Sequence, residues 1–137
     1  MGSMNSLNPD RFEELLGELC RRLTKECGAG KIWDQSKTFE NRVRVVTQEL
    51  LKKYKIVVDF SPHPYGFPDI AIDEFGIEVK FTKGDTWRSV ANSVFEGFRD
   101  KGVKHIYLVF GKMGGSPEVR WGKYEKKRYP CKNFSCP

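Results

Sequence analysis

Between residues 67 and 81 the chain reads Phe-Pro-Asp-Ile-Ala-Ile-Asp-Glu-Phe-Gly-Ile-Glu-Val-Lys-Phe, and no other stretch constrains the fold as tightly. Two short runs of alternating apolar residues, 69–73 and 76–81, flank a Glu74-Phe75 step with Gly76 after it. That pattern predicts a β-hairpin. Successive side chains on a strand point to opposite faces, so Glu78 and Lys80 share one face while Ile77, Val79 and Phe81 take the other. With Glu74 and Phe75 as the loop, Asp73 falls opposite Gly76, Ala71 opposite Glu78, and Asp69 opposite Lys80. Asp69, Glu78 and Lys80 then occupy the same face, with Asp69 and Glu78 as diagonal neighbours about 7–8 Å apart at Cα.

The rest of the chain supplies the frame around this hairpin. Asn8-Pro9-Asp10 predicts a helix start. Phe12, Leu15, Leu16, Leu19, Cys20 and Leu23 recur at helical spacing behind it, and Gly28 and Gly30 end the run. A second helix is expected over residues 37–54, with Phe39, Val43, Val46, Leu50 and Leu51 as its buried stripe. Glu40 lies beside that stripe near the helix start, either leaning toward the hairpin or serving as a favourable first-turn acid. Arg42 and Arg44 are expected to project elsewhere, toward phosphates or water. Residues 55–60 predict a β-branched strand, 61–67 a loop carrying His63, 86–100 a third helix, and 105–111 a near-continuous apolar strand fit for a sheet interior. Residues 118–121 predict a short last strand. The order of these elements predicts an α/β fold with a mixed central sheet, helices on both faces and an extra N-terminal helix.

Two acids and a lysine within an otherwise apolar run are costly unless something compensates them. One solution is a solvent-exposed cross-strand ion pair between Lys80 and Asp69, contributing well under ~1 kcal/mol. The other is a hard cation. Mg²⁺ takes oxygen donors, retains waters and uses one or two carboxylates together with phosphate oxygens. Asp69 and Glu78 would supply the carboxylates and the Val79 carbonyl a third oxygen. Lys80 would hold or help deprotonate the attacking water in a phosphoryl hydrolysis.

Pro68-Asp69 followed by Glu78-Val79-Lys80 resembles the PD-(D/E)xK signature of the restriction-endonuclease-like nuclease superfamily, most closely a type II restriction endonuclease catalytic domain. The resemblance spans roughly residues 36–111. It implies an αβββαβ core, Mg²⁺ (with Mn²⁺ able to substitute) held by Asp69 and Glu78, and a water assisted by Lys80. Glu40 matches the acidic residue that the family often carries on the preceding helix. The implied reaction is endonucleolytic hydrolysis of double-stranded DNA leaving a 5′-phosphate and a 3′-hydroxyl, in a cytoplasmic, prokaryotic setting, with a homodimer as the analogy for palindromic sites. A junction-resolving, repair or RNA-directed nuclease of the same fold, or a binding module without turnover, are the alternatives.

Charge placement suits a polyanionic partner. Residues 101–137 hold 9 Lys/Arg against 2 Asp/Glu, whereas residues 1–100 hold 15 against 16. Neutralising phosphates supplies much of nucleic-acid affinity, although a solvated basic tail has the same composition. Lys83 and Arg88, at the start of the helix expected after the hairpin, are the candidate DNA contacts nearest the acids. Arg120 and Lys123 interleave with Trp121 and Tyr124, as suits sugar-phosphate and base contacts. Met1-Gly2-Ser3 ahead of Met4 reads as the remnant of an expression tag, leaving 4–137 as one domain whose basic C-terminal segment covers about 112–137. No run approaches the ~20 apolar residues of a membrane span. The spacing of Cys20, Cys27, Cys131 and Cys136 does not match common zinc sites. Cys20 lies on an apolar helical stripe and reads as a buried thiol in a reducing compartment.

Overall fold

The computed structural model describes residues 7–56, 60–62, 69–87 and 104–124. Helix α1 (Pro9–Gly28) begins where the Asn8 side chain accepts a hydrogen bond from the Arg11 N–H at 2.9 Å, with Pro9 in the first turn and Asp10 beside it. These are the features that satisfy orphan N–H groups and suit the positive end of the helix dipole. Its buried stripe is the expected one, extended by Cys27. Past the helix end, Gly30 takes a left-handed φ of 102°.

Helix α2 (Ser36–Lys53) buries Phe39, Val43, Val46, Thr47, Leu50 and Leu51. The buried Thr47 hydroxyl is satisfied within the helix, donating to the Val43 carbonyl at 2.7 Å. Its C-terminus closes with Lys55 N–H donating to the Lys52 carbonyl and Ile56 N–H to the Leu51 carbonyl, at 3.0 and 2.9 Å. That paired closure needs a left-handed residue after the cap, a position usually held by glycine. Here it is Lys55, with φ 58°. Lys55 is therefore a helix terminator, and the expected strand does not begin at Lys55 or Ile56. Residues 57–59 lie outside the described residues, and β1 (Phe60–Pro62) joins Phe60, expected as strand, to Ser61 and Pro62, expected as loop.

Strands β2 (Ile70–Ile72), β3 (Phe75–Thr82), β4 (His105–Lys112) and β5 (Glu118–Lys123) complete a five-stranded sheet in the order β1-β2-β3-β4-β5. Pairings are antiparallel except between β3 and β4, which run parallel. The sheet is thus mixed and the protein is α/β, as expected. The parallel step requires a crossover, and the helix expected over 86–100 lies, apart from Thr86 and Trp87, outside the described residues. Helices on both faces and the complete αβββαβ core are accordingly not demonstrated by the described residues.

Both described helices cover one sheet face. The Phe12 ring stacks on Phe75 at 4.6 Å, and Phe39 meets Phe81 at 5.5 Å. Thr24 ties α1 to β5, its hydroxyl accepting from the Val119 N–H at 2.9 Å and donating to the Val119 carbonyl at 3.3 Å. Gly111 lies directly beneath Phe39, where an added Cβ would stand 2.6 Å from the ring. On the opposite face Leu108 and Phe110 are buried and packed by Trp87 and Tyr124. Strand β4 is therefore covered on both sides, as its continuous apolar run requires. No helix among the described residues is long and apolar enough to cross a membrane.

Candidate active site

The hairpin turns one residue earlier than its sequence suggests, which slips the cross-strand register by two. Ile72 pairs with Phe75, Ala71 with Gly76 and Ile70 with Ile77, so the turn is Asp73-Glu74. Asp73 adopts a left-handed φ of 57°, which aspartate tolerates better than most residues. Phe75 thereby leaves the loop and becomes fully buried against Phe12. Burying a phenylalanine side chain contributes about 1.5–3 kcal/mol, enough to select this register over one with the ring at the tip. A one-residue slip would have reversed every side chain, but a two-residue slip preserves the faces. Extending the observed register one step beyond Ile70 and Ile77 sets Asp69 level with Glu78 rather than Lys80.

Asp69 stands at the mouth of β2, where its Oδ2 accepts a hydrogen bond from the Val79 N–H at 2.9 Å. Because N–H and C=O of a strand residue leave on the same edge, the Val79 carbonyl is directed toward the edge that Asp69 occupies. Two residues apart on β3, Glu78 and Lys80 approach at 3.6 Å, with side chains only 12% and 17% exposed. That burial excludes the solvent-exposed ion pair as an account of these charges. Lys80's acid neighbour is Glu78, not Asp69.

Helix α2 adds a second pair. Arg44 Nη2 donates to the Asp69 backbone carbonyl at 2.9 Å and lies 3.4 Å from Glu40 Oε2, which Lys37 also approaches at 3.8 Å. The first turn of α2 carries no acid, so Glu40 is not a first-turn dipole partner. Arg44 departs from expectation. Arg42 points away from the site but pairs with Glu26 at 2.7 Å rather than facing phosphate or water, and Arg44 turns into the site. The signal was present: residues four apart share a helix face, and Glu40 and Arg44 are so spaced.

Burial governs the electrostatics. It pushes the Glu78 carboxyl up to about 8, with repulsion from Asp69 adding to the shift and Lys80 opposing it. Asp69 is also raised, chiefly by burial and then by Glu40, against the lowering effects of the Val79 N–H, Lys80 and Arg44. Among the described residues, neither the buried Glu78 Oε1 nor the buried Arg44 Nε has a hydrogen-bond partner. A buried carboxylate oxygen left unpaired is costly.

That orphaned oxygen, the adjacent Asp69 carboxylate and the Val79 carbonyl edge form an all-oxygen donor set that fits a hard divalent cation better than a soft one. Among the described residues no group of three or more His, Cys, Asp or Glu side chains is arranged to hold a metal. Asp69 and Glu78 offer two carboxylates that feel each other's charge, the number Mg²⁺ commonly takes beside phosphate and water.

The candidate DNA contacts separate. Lys83 lies just past β3, exposed and 3.3 Å from Asp34. Arg120 is level with Phe110 and Lys80 across the sheet, on the acid face, where it meets Glu118 at 3.0 Å and lies 4.4 Å from the Trp87 ring centre. Lys123 pairs with Tyr107 on the helix-covered side and approaches Glu13 at 3.7 Å, so it does not share a face with the acids. Arg88, His63, Cys131 and Cys136 lie outside the described residues. Cys20 and Cys27 are free and buried, burial raising both thiols.

Lys112, not singled out from sequence, supports the site indirectly. Its buried ammonium donates to Asp85 at 2.9 Å and to the Gly114 and Ser116 carbonyls at 2.8 and 3.0 Å. It ties the loop that follows Lys80 to the β4–β5 turn. Compared with protein-family models, with curated proteins and with solved structures, the chain gives no match in any of the three.

Proposed function

We propose that the chain is a Mg²⁺-dependent endonuclease of double-stranded DNA, with a restriction-type catalytic domain as its nearest model. The observation that carries this is the buried Glu78 carboxylate with an unpartnered oxygen, beside Asp69 and 3.6 Å from Lys80. Duplex DNA as substrate, and a homodimer as the acting form, rest on the resemblance of Pro68-Asp69 and Glu78-Val79-Lys80 to the nuclease signature.

Asp69 and Glu78 would hold the ion, with the Val79 carbonyl as a further oxygen. When bound, Mg²⁺ polarises the scissile phosphate, lowers the pKa of a coordinated water and offsets charge on the leaving oxygen. Lys80 would orient the attacking water and offset charge developing at phosphorus. As the water oxygen bonds to phosphorus and gives up a proton to solvent, the bond from phosphorus to the 3′ oxygen breaks and that oxygen takes up a proton from solvent, giving a 5′-phosphate and a 3′-hydroxyl. Glu78, which holds a proton near neutrality in the metal-free protein, would release it on coordination, so ion binding is linked to pH. Glu40 acts on Asp69 through charge and through Arg44.

The test is cleavage of supercoiled and linear duplex DNA with Mg²⁺, lost in Asp69→Ala and Lys80→Ala while fold and DNA binding persist. Tight binding without cutting, with either Mg²⁺ or Mn²⁺, would make the protein a binding module. Cutting confined to four-way junctions would make it a junction resolvase.

A further inference from the structure

We infer that Arg44 is the positioning residue of this site, holding Asp69 at the β2 mouth so that its carboxylate faces Glu78. The inference deepens the metal-nuclease proposal, yet its first readout needs neither metal nor DNA.

Asp69 is poorly held by the sheet itself. It precedes β2 in a bend, and strand pairing between β2 and β3 begins only at Ile70. Among the described residues the Val79 N–H holds its carboxylate and Arg44 Nη2 its backbone carbonyl, both at 2.9 Å, while its own backbone N–H acts on the Glu78 carboxyl. The first orients the side chain only if the backbone behind it is fixed, and Arg44 fixes that backbone. Arg44 is itself oriented one helical turn back by Glu40 at 3.4 Å. A planar guanidinium can serve both partners at once, whereas an ammonium is a point donor on a flexible stem.

The geometry also has a cost that packing does not explain. Arg44 is 19% exposed, and its Nε is buried without a partner. An apolar side chain of similar length would fill the space without that unpaired donor. The arrangement makes sense if α2 is used to register one carboxylate against another on a different element. Arg44 also brings positive charge to acids that Lys37 and Lys80 approach from other positions: Lys37 meets Glu40, and Lys80 meets Glu78 and lowers Asp69.

Amide hydrogen exchange in wild type, Arg44→Met and Arg44→Lys tests the inference directly. Arg44→Met keeps chain length and removes the guanidinium. In that variant the Val79 amide should exchange at least ten-fold faster, while the Ile77 and Val109 amides stay within two-fold of wild type. Arg44→Lys should fall between, and it carries the test should Arg44→Met not fold. Calorimetric titration with Mn²⁺ should show a ten-fold weaker Kd in Arg44→Met, and DNA cleavage should recover at saturating metal. Val79 protection equal to wild type in the variants, or an equal loss at all three amides, overturns the positioning role. Wild-type protein that binds no Mn²⁺ overturns the metal proposal instead, and the Val79 amide still decides the role of Arg44.

Discussion

Replacing Glu78 by glutamine should make the metal-free protein more stable at alkaline pH while destroying the proposed activity. In the folded protein Glu78 is raised from 4.5 to about 8. Between those values the unfolded chain has lost the proton that the folded one keeps, so stability falls as pH rises through that window. At about 1.4 kcal/mol per pKa unit the full loss is at most ~5 kcal/mol. Part of it is repulsion from Asp69, which titrates jointly with Glu78, leaving an expected loss of about 2–3 kcal/mol. With its side chain only 12% exposed, little of this is screened by solvent. Urea denaturation of both proteins in EDTA at pH 5 and pH 9 measures it. Wild type should lose about 2–3 kcal/mol relative to Glu78→Gln between the two pH values. Taking the difference cancels groups common to both, such as Glu18, whose carboxyl is lowered by Tyr54 and Lys53. A wild-type-minus-variant difference that does not change with pH would refute the buried, charge-opposed Glu78.

Mg²⁺ at one hundred times its Kd should restore about 2.7 kcal/mol to the wild type at pH 8 and nothing to Asp69→Ala, by thermal unfolding with and without EDTA. Lys55→Gly should raise stability by about 0.5–1 kcal/mol, because Lys55 sits at φ 58° where glycine carries no Cβ penalty. Gly111→Ala should cost about 1–3 kcal/mol, since its Cβ would lie 2.6 Å from the buried Phe39 ring.

How far the sequence could be read depended on whether a feature was local or tertiary. Both helices follow from apolar stripes, and α1 also from its Asn8-Pro9-Asp10 start, so they were legible nearly to the residue. The face shared by Asp69, Glu78 and Lys80 was legible because strand alternation depends only on parity. The turn was not, because Gly76 resembles a turn glycine and only the packing of Phe75 on Phe12 shows otherwise. Lys55 gave no terminator signal, since its left-handed conformation arises at a residue type that normally avoids it. Lys123 was grouped with Arg120 by composition, though alternation along β5 sends the two to opposite faces. The spacing of Arg44 to Glu40 is a local signal, but its other partner, the Asp69 carbonyl, is brought to it by tertiary packing alone.

The central claim is that Asp69 and Glu78 share one divalent ion beside Lys80. Anomalous diffraction from crystals soaked in Mn²⁺ addresses it most directly. The account predicts a single peak with an oxygen of each carboxylate at about 2.1 Å, the distance of hard-cation coordination, and no peak in crystals of Asp69→Ala. Fully soaked wild-type crystals without density between Asp69 and Glu78, or with the ion bound only elsewhere, would contradict it.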